Sequence, residues 1–197
     1  MKSIVCLLVS AAALAQQPPA RILVAYHSGT GNTAKLAQAI RDGAASVDGI
    51  EVVLRKTSEV RPEEVPAYDG IVLGTPVHWF NLSTEAKRFL DEVGNALWKA
   101  KTSGDGRTAG AFCTGGGAAM GKDMARLSIL SAFLTMRFIV IGGVDSEGFG
   151  TVGPEATTGP TDPGVSGREE AEARRFGERF ARFTRQIRAS RAPAASK

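Results

Sequence analysis

The chain has 197 residues, 43% hydrophobic and 22% charged, with a formal net charge of +4. That balance excludes a disordered or membrane-embedded chain, and the length suggests one domain of ordinary size. Many basic residues fall in the last thirty positions with no aromatic–basic interleaving, so they read as a basic helix and tail, and no nucleic-acid partner is expected.

Lys2 supplies a short positive segment, Ile4 to Ala13 an apolar run, and Ala13-Leu14-Ala15 a small-residue cleavage pattern. Residues 1–15 therefore read as a secretory signal peptide, and the run is shorter than the about 20 residues a membrane span needs. Export, to a periplasm, is the expected localisation; a non-functional signal would leave the protein cytoplasmic. Residues 16–20 read as a linker, 21–190 as the folded domain and 191–197 as a disordered tail. Cleavage would remove Cys6 and leave Cys113 alone, so the mature chain has no intramolecular disulfide to form.

The first domain element is a strand, Arg21 to Tyr26, followed by Ser28-Gly29-Thr30-Gly31-Asn32-Thr33 and a helical pattern over Lys35 to Arg41. A strand, a small polar loop and a helix start make an anion site, because backbone N–H groups and the helix dipole point at one spot. The loop contains no Lys or Arg and no G-K-[ST], which excludes a nucleoside-triphosphate loop. A neutral cradle suits a terminal phosphomonoester.

Further strands are expected at Gly49–Arg55, Ile71–Thr75, Thr108–Cys113 and Phe138–Gly142, with helices at Glu85–Val93 and Met124 to about Leu134. Alternating strands and helices imply parallel pairing and right-handed crossovers. Asp145 to Ser166 reads as a long Gly-, Pro- and Thr-rich loop. Ser166-x-x-Glu169 is a capping box that opens a last helix, with Phe176, Phe180, Phe183 and Ile187 on its core face and Glu170–Arg174 and Glu178–Arg182 as i,i+4 pairs. The fold class is α/β, a three-layer, doubly wound sheet of five parallel strands in the order 2-1-3-4-5.

Three loops should meet at the carboxyl ends of these strands: Ser28–Thr33, Pro76-Val77-His78-Trp79-Phe80-Asn81-Leu82-Ser83, and Cys113-Thr114-Gly115-Gly116-Gly117. Trp79 is placed to stack on a flat ring, Phe80 to anchor its loop, and the glycines to let backbone approach a ring edge. Ser28–Thr33 resembles the phosphate loop of flavodoxins, [ST]-x-T-G-x-T, which implies a flavodoxin-like fold and flavin mononucleotide (FMN) as cofactor. Asp69-Gly-Ile-Val-Leu-Gly-Thr-Pro76, Asn81-Leu-Ser83, Phe89-Leu-Asp91 and Leu97-Trp98 resemble the WrbA-type NAD(P)H:quinone oxidoreductases. That subgroup implies an NAD(P)H or other electron donor, a quinone-like acceptor, a homo-oligomer (dimer or tetramer) and Trp98 as a substrate-site aromatic, with a core residue at the helix end as the alternative for Trp98. It also implies FMN contacts from Ser28, Gly29, Thr30, Gly31, Asn32, Thr33, Val77, His78, Trp79, Cys113, Thr114, Gly115, Gly116 and Gly117; Pro76, Phe80 and Asn81 of the second loop complete the expected cofactor-binding set. Two features depart from it: Leu134-Thr-Met-Arg137 lacks the subgroup's flavin-contacting His, and the phosphate loop is the flavodoxin version.

No side chain is assigned a catalytic role, since a flavin carries the redox chemistry itself. No metal is expected, because His27, His78 and Cys113 show no ligand spacing; a proton-donating His78 and a solvated loop His remain alternatives. Three functions stay open: an FMN-dependent quinone reductase, a flavodoxin-type electron carrier, and a non-catalytic flavin-binding module.

Overall fold

The computed structural model describes residues 18–118, 121–144, 151–159 and 164–191. The expected signal peptide at 1–15 and the expected tail beyond Arg191 lie outside the described residues.

Strands β1 (Ala20–Tyr26), β2 (Ile50–Lys56), β3 (Gly70–His78), β5 (Thr108–Gly115) and β6 (Ile139–Val140) form the parallel path β2-β1-β3-β5-β6. Counting only these five, the order is the expected 2-1-3-4-5. Two short strands extend it: β4 (Asn81–Leu82) pairs antiparallel with β3, and β7 (Glu155–Thr157) pairs parallel with β5. β6 and β7 share one edge of β5, β6 beside Thr108–Ala109 and β7 beside Cys113–Gly115. The Asp145–Ser166 stretch is thus not structureless throughout, because β5 has a free edge there that backbone groups of 155–157 satisfy. Its residues 145–150 and 160–163 lie outside the described residues.

Helices α1 (Asn32–Ala45) and α4 (Gly167–Ser190) cover one face of the sheet, α2 (Thr84–Lys99) and α3 (Lys122–Thr135) the other. Alternation along β1 shows why: Ile22 and Val24 join the core under α1 and α4, while Leu23 and Ala25 join the core under α2 and α3. Phe176 and Phe180 are fully buried against the first core, while Phe183 and Ile187, expected on the same face, are half-buried; each full burial stabilises by roughly 2–3 kcal/mol. Ser166 caps α4 by accepting from Glu169 N–H, with the Glu169 carboxylate returning to Ser166 N–H. Glu178 pairs with Arg182 as expected, but Glu170 turns to Lys35 Nζ (2.6 Å) and Arg174 to Asp42 (3.0 Å), because α1 lies against α4 and offers partners there.

The domain bounds shift by one residue at each end. Ala20 is already in β1, and Arg191 donates from Nε to Gly106 O (2.7 Å) and from Nη1 to Asp69 (3.0 Å), so it belongs to the fold and not to the tail. Among the described residues, no helix is long and apolar enough to cross a membrane.

The two helices of the first face touch at backbone level. A Cβ at Gly177 would lie 2.1 Å from Ile40 O, and one at Gly43 1.9 Å from Arg174 O. Gly177→Ala must therefore push α4 off α1, and urea unfolding should show a loss of about 1–3 kcal/mol. An unchanged midpoint would show that the helices separate without cost.

Candidate functional site

β1 ends at Tyr26, and the chain turns through Ser28–Gly31 into α1. Gly31 is the N-cap residue with φ 95°, a left-handed conformation open to glycine, and it supplies no side-chain cap. The Ser28 hydroxyl accepts from the Gly31 and Ala34 N–H groups (3.1 and 3.3 Å), and Asn32 Nδ2 donates to Thr30 Oγ1 (3.1 Å). The N–H groups of Gly29, Thr30, Asn32 and Thr33 have no acceptor among the described residues. A Cβ built at Gly29 or Gly31 meets nothing within 4 Å, so the cradle is open. Lys35, the nearest cation along the chain, is committed to Glu170 and to Val165 O (3.0 Å). The loop is a neutral donor surface at the positive end of a 14-residue helix.

The second segment is a hairpin, not an open loop. Pro76, Val77 and His78 belong to β3, Asn81 belongs to β4, and Val77↔Leu82 and His78↔Asn81 leave only Trp79 and Phe80 at the turn. Both have positive φ, 46° and 70°, the backbone of a type I′ turn that Asn-Gly ordinarily fills. Trp79 is fully exposed, and Phe80 is 62% exposed. Phe80 was expected to anchor the segment with its ring. Instead its backbone does so, since a Cβ at Gly121 would meet Phe80 Cα and O at 2.5 Å. Asn81 is half-buried, its Oδ1 accepting from Leu82 N–H (2.8 Å). Ser83, fully buried, caps α2 through Ala86 N–H and takes the Thr75 hydroxyl as acceptor for its own N–H (2.9 Å).

The third segment is shorter than expected, because β5 runs on to Gly115 under cover of β7. Cys113, read as a cofactor contact, is fully buried within the strand, with its Sγ toward Lys122 O (3.5 Å). Burial pushes its thiol up to about 12, so it stays neutral and is neither a thiolate ligand nor a nucleophile. Thr114 is buried too, but its hydroxyl shares a 2.8 Å hydrogen bond with Thr33 Oγ1, which ties the first turn of α1 to the end of β5. Gly116 is exposed and Gly117 half-buried, so only these two of the five residues face the open edge.

The three segments do converge. His27 N–H donates to Gly74 O (3.0 Å), and the His27 and His78 rings meet edge to face at 5.9 Å. His27 Nδ1 lies 2.9 Å from Ser83 Oγ and 3.4 Å from Glu85 Oε2. A Ser, a His and a Glu therefore meet, yet Ser83 is buried and engaged as a cap, which removes it as a nucleophile. Among the described residues, no three His, Cys, Asp or Glu side chains gather around a common point. Trp98 does not join this edge. It stands at the far end of α2, about 20 Å along the axis from the residues that leave β4, and is 85% exposed.

The sequence profile of the flavodoxin domain matches residues 23–116. A flavodoxin of Aquifex aeolicus is 38% identical over 65% of this chain and 68% of its own length. A flavodoxin of Clostridium saccharobutylicum is 30% identical over 85% of this chain and 99% of its own. The chain belongs to the flavodoxin family. An NAD(P)H dehydrogenase (quinone) of Archaeoglobus fulgidus is also similar, 32% identical over 62% of this chain and 76% of that protein. Among solved structures, oxidised flavodoxin 2 of Bacillus cereus superposes with a TM-score of 0.66 at 25% identity, covering 83% of this chain and 99% of that one. A flavodoxin, WrbA-like protein of Agrobacterium tumefaciens gives 0.67 at 23% identity, with 85% and 99% coverage.

One cluster in this flavodoxin-family chain had no local signal in the sequence. Lys122 and Arg126, at the start of α3, are 4% and 2% exposed. Lys122 Nζ binds Glu155 (2.7 Å) and donates to Thr157 Oγ1 (2.8 Å). Arg126 pairs with Glu155 and Asp123 and donates to Gly153 O. Their i,i+4 spacing reads as an ordinary exposed helix start; only the return of 153–157 onto β5 buries them.

The turn at Trp79-Phe80 is the strained point of the edge, since a bulky residue in left-handed backbone costs of order 1–3 kcal/mol. Replacing the pair by Trp79→Asn with Phe80→Gly should raise the thermal unfolding midpoint of the ligand-free protein. A lower midpoint would mean that the two rings contribute packing that outweighs the strain.

Proposed function

We propose that the chain is an FMN-dependent oxidoreductase that takes electrons from NAD(P)H and passes them to a quinone-like acceptor. The observation that carries the cofactor is the neutral Ser28–Thr33 cradle, with four N–H groups lacking acceptors among the described residues and open space at Gly29 and Gly31. These residues fit a phosphomonoester: the donors are backbone, the helix end is positive, and no fixed cation demands more than one phosphate. Trp79 would supply a stacking face for the flavin ring, and Gly116 and Gly117 would let backbone reach its edge. Bound FMN supplies the hydride and electron chemistry, and the protein holds, orients and partly covers it.

The nicotinamide and quinone reading draws on the similarity to the Archaeoglobus NAD(P)H dehydrogenase (quinone). One observation favours the second reading, an electron carrier. Trp98, the aromatic that the WrbA resemblance assigns to the substrate, lies at the wrong end of α2 within one chain. A homo-oligomer that brings a second copy's Trp98 to the edge would restore the reductase reading. The expected export belongs to this proposal as well.

Purified protein titrated with FMN should develop a bound-flavin visible spectrum, and Trp79→Ala should weaken that binding well beyond Phe80→Ala. A chain that never binds FMN ends both readings, and equal affinities for wild type and Trp79→Ala end the stacking role. Anaerobic bleaching by NADH or NADPH supports the reductase, and bleaching by dithionite alone supports the carrier. Amino-terminal sequencing of the protein from its native cells should begin near Gln16; a chain beginning at Met1 would refute export.

A further inference from the structure

A second cleft adjoins the phosphate cradle on the opposite face of the sheet, the face of α2. It measures about 290 Å³, close to the lower end of small-molecule sites at about 300 Å³. It is lined by Tyr26, His27 and Ser28 at the end of β1, by Lys56 at the end of β2 with Thr57, Ser58 and Val60 beyond it, and by Glu85, Arg88, Phe89 and Glu92 of α2. Ser28 belongs to both sites, so whatever fills this cleft lies directly beside the cradle.

The charges of the cleft are unlike those around it. Arg55 and Lys87, which border it on the same two elements, are each taken by a carboxylate, Glu64 at 3.2 Å and Asp91 at 2.5 Å. Lys56 and Arg88 make no side-chain hydrogen bond or salt bridge with any described residue, although Glu85 and Glu92 line the same space. The Glu85 carboxyl is held below the ordinary glutamate range by its own backbone N–H, so it remains an acceptor at neutral pH. Two cations and two carboxylates cancel, which favours neither a bare anion nor a metal ion. They suit a bipolar ligand: hydroxyl donors for the carboxylates, anionic oxygens for the cations, and a flat apolar part against Tyr26, Val60 and Phe89. A ribose diol beside a diphosphate has that chemistry, with carboxylates accepting from sugar hydroxyls as at other dinucleotide sites.

We infer that the cleft between Lys56 and Arg88 is a nucleoside diphosphate subsite, which holds the adenylate end of a dinucleotide donor beside the Ser28–Thr33 cradle. It rests on the reading of NAD(P)H as the donor, and it gives that reading a location on this chain. Lys56 and Arg88 would take the diphosphate together with the Ser58 hydroxyl. Glu85 and Glu92 would take the ribose.

ADP-ribose tests this directly, because it carries the adenosine diphosphate without the nicotinamide. Calorimetric titration of the whole protein, with and without FMN, should show binding by wild type. It should be at least about tenfold weaker for Lys56→Gln with Arg88→Gln, as expected for lost charge-assisted hydrogen bonds. Both residues are exposed, so the variant should keep the wild-type unfolding midpoint and FMN affinity. Equal affinities for the two proteins, or no ADP-ribose binding by wild type, would overturn the subsite even where NADH still bleaches the flavin. Inorganic phosphate binding as tightly as ADP-ribose would overturn the nucleotide assignment. ADP-ribose binding by a chain that fails to take up FMN would uphold the subsite while the flavin reading falls.

Discussion

The pairing of β1, β3 and β5, buried on both faces, governs everything at the functional edge. Three adjacent strands with apolar side chains above and below leave their backbone no contact with water along their length. Unsatisfied polar groups can then collect only where the strands end. At the carboxyl edge that means the Ser28–Thr33 turn, the hairpin after β3 and the Gly116–Gly117 turn after β5. The 2.8 Å hydrogen bond between Thr33 and Thr114 locks two of these to each other from below. A displacement of α1 would be felt at the end of β5, so the cradle and the glycine turn act as one rigid floor.

Against that floor, two local features run opposite to stability. Trp79 and Phe80 occupy left-handed backbone in a turn where smaller residues would be relaxed, and both rings face solvent. Lys122 and Arg126 are withdrawn from water at the positive end of α3, a position that repels cations. Glu155 compensates them, aided by Asp123 and the Gly153 carbonyl, and the compensation arrives on a strand of three residues. Both departures lie at the same edge, where local strain is repaid by what the edge can hold. The proposed FMN site uses the first directly. The second fixes the wall formed by β7.

Much of this was legible in the residues. The apolar runs at 22–25 and 71–73 announced two-faced burial, and the strand–loop–helix at 21–41 announced an anion cradle. Ser166-x-x-Glu169 marked the start of α4 to the residue. The burial of Cys113 within a strand was not legible for a definite reason: a run that ends in Cys-Thr-Gly-Gly-Gly looks like a strand entering a glycine loop. The strand goes further, because β7 returns from 42 residues later to pair with Cys113–Gly115. The distance of Trp98 from the edge within one chain was not legible because motif similarity carries no distance, and 16 residues of helix separate the two edges of the sheet. The Lys56–Arg88 cleft was invisible for the same reason, as its walls come from segments about thirty residues apart.

The chain by itself determined its strand order, its core faces and its neutral cradle, since these follow from periodicity, from small polar residues and from local hydrogen bonding. Tertiary structure decided which edge residues remain accessible, which cations find partners, and which aromatic rings stand near the cradle. Those depend on what segments remote in sequence bring to the same place, and burial of Cys113, Lys122 and Arg126 is set by neighbours that no local pattern records.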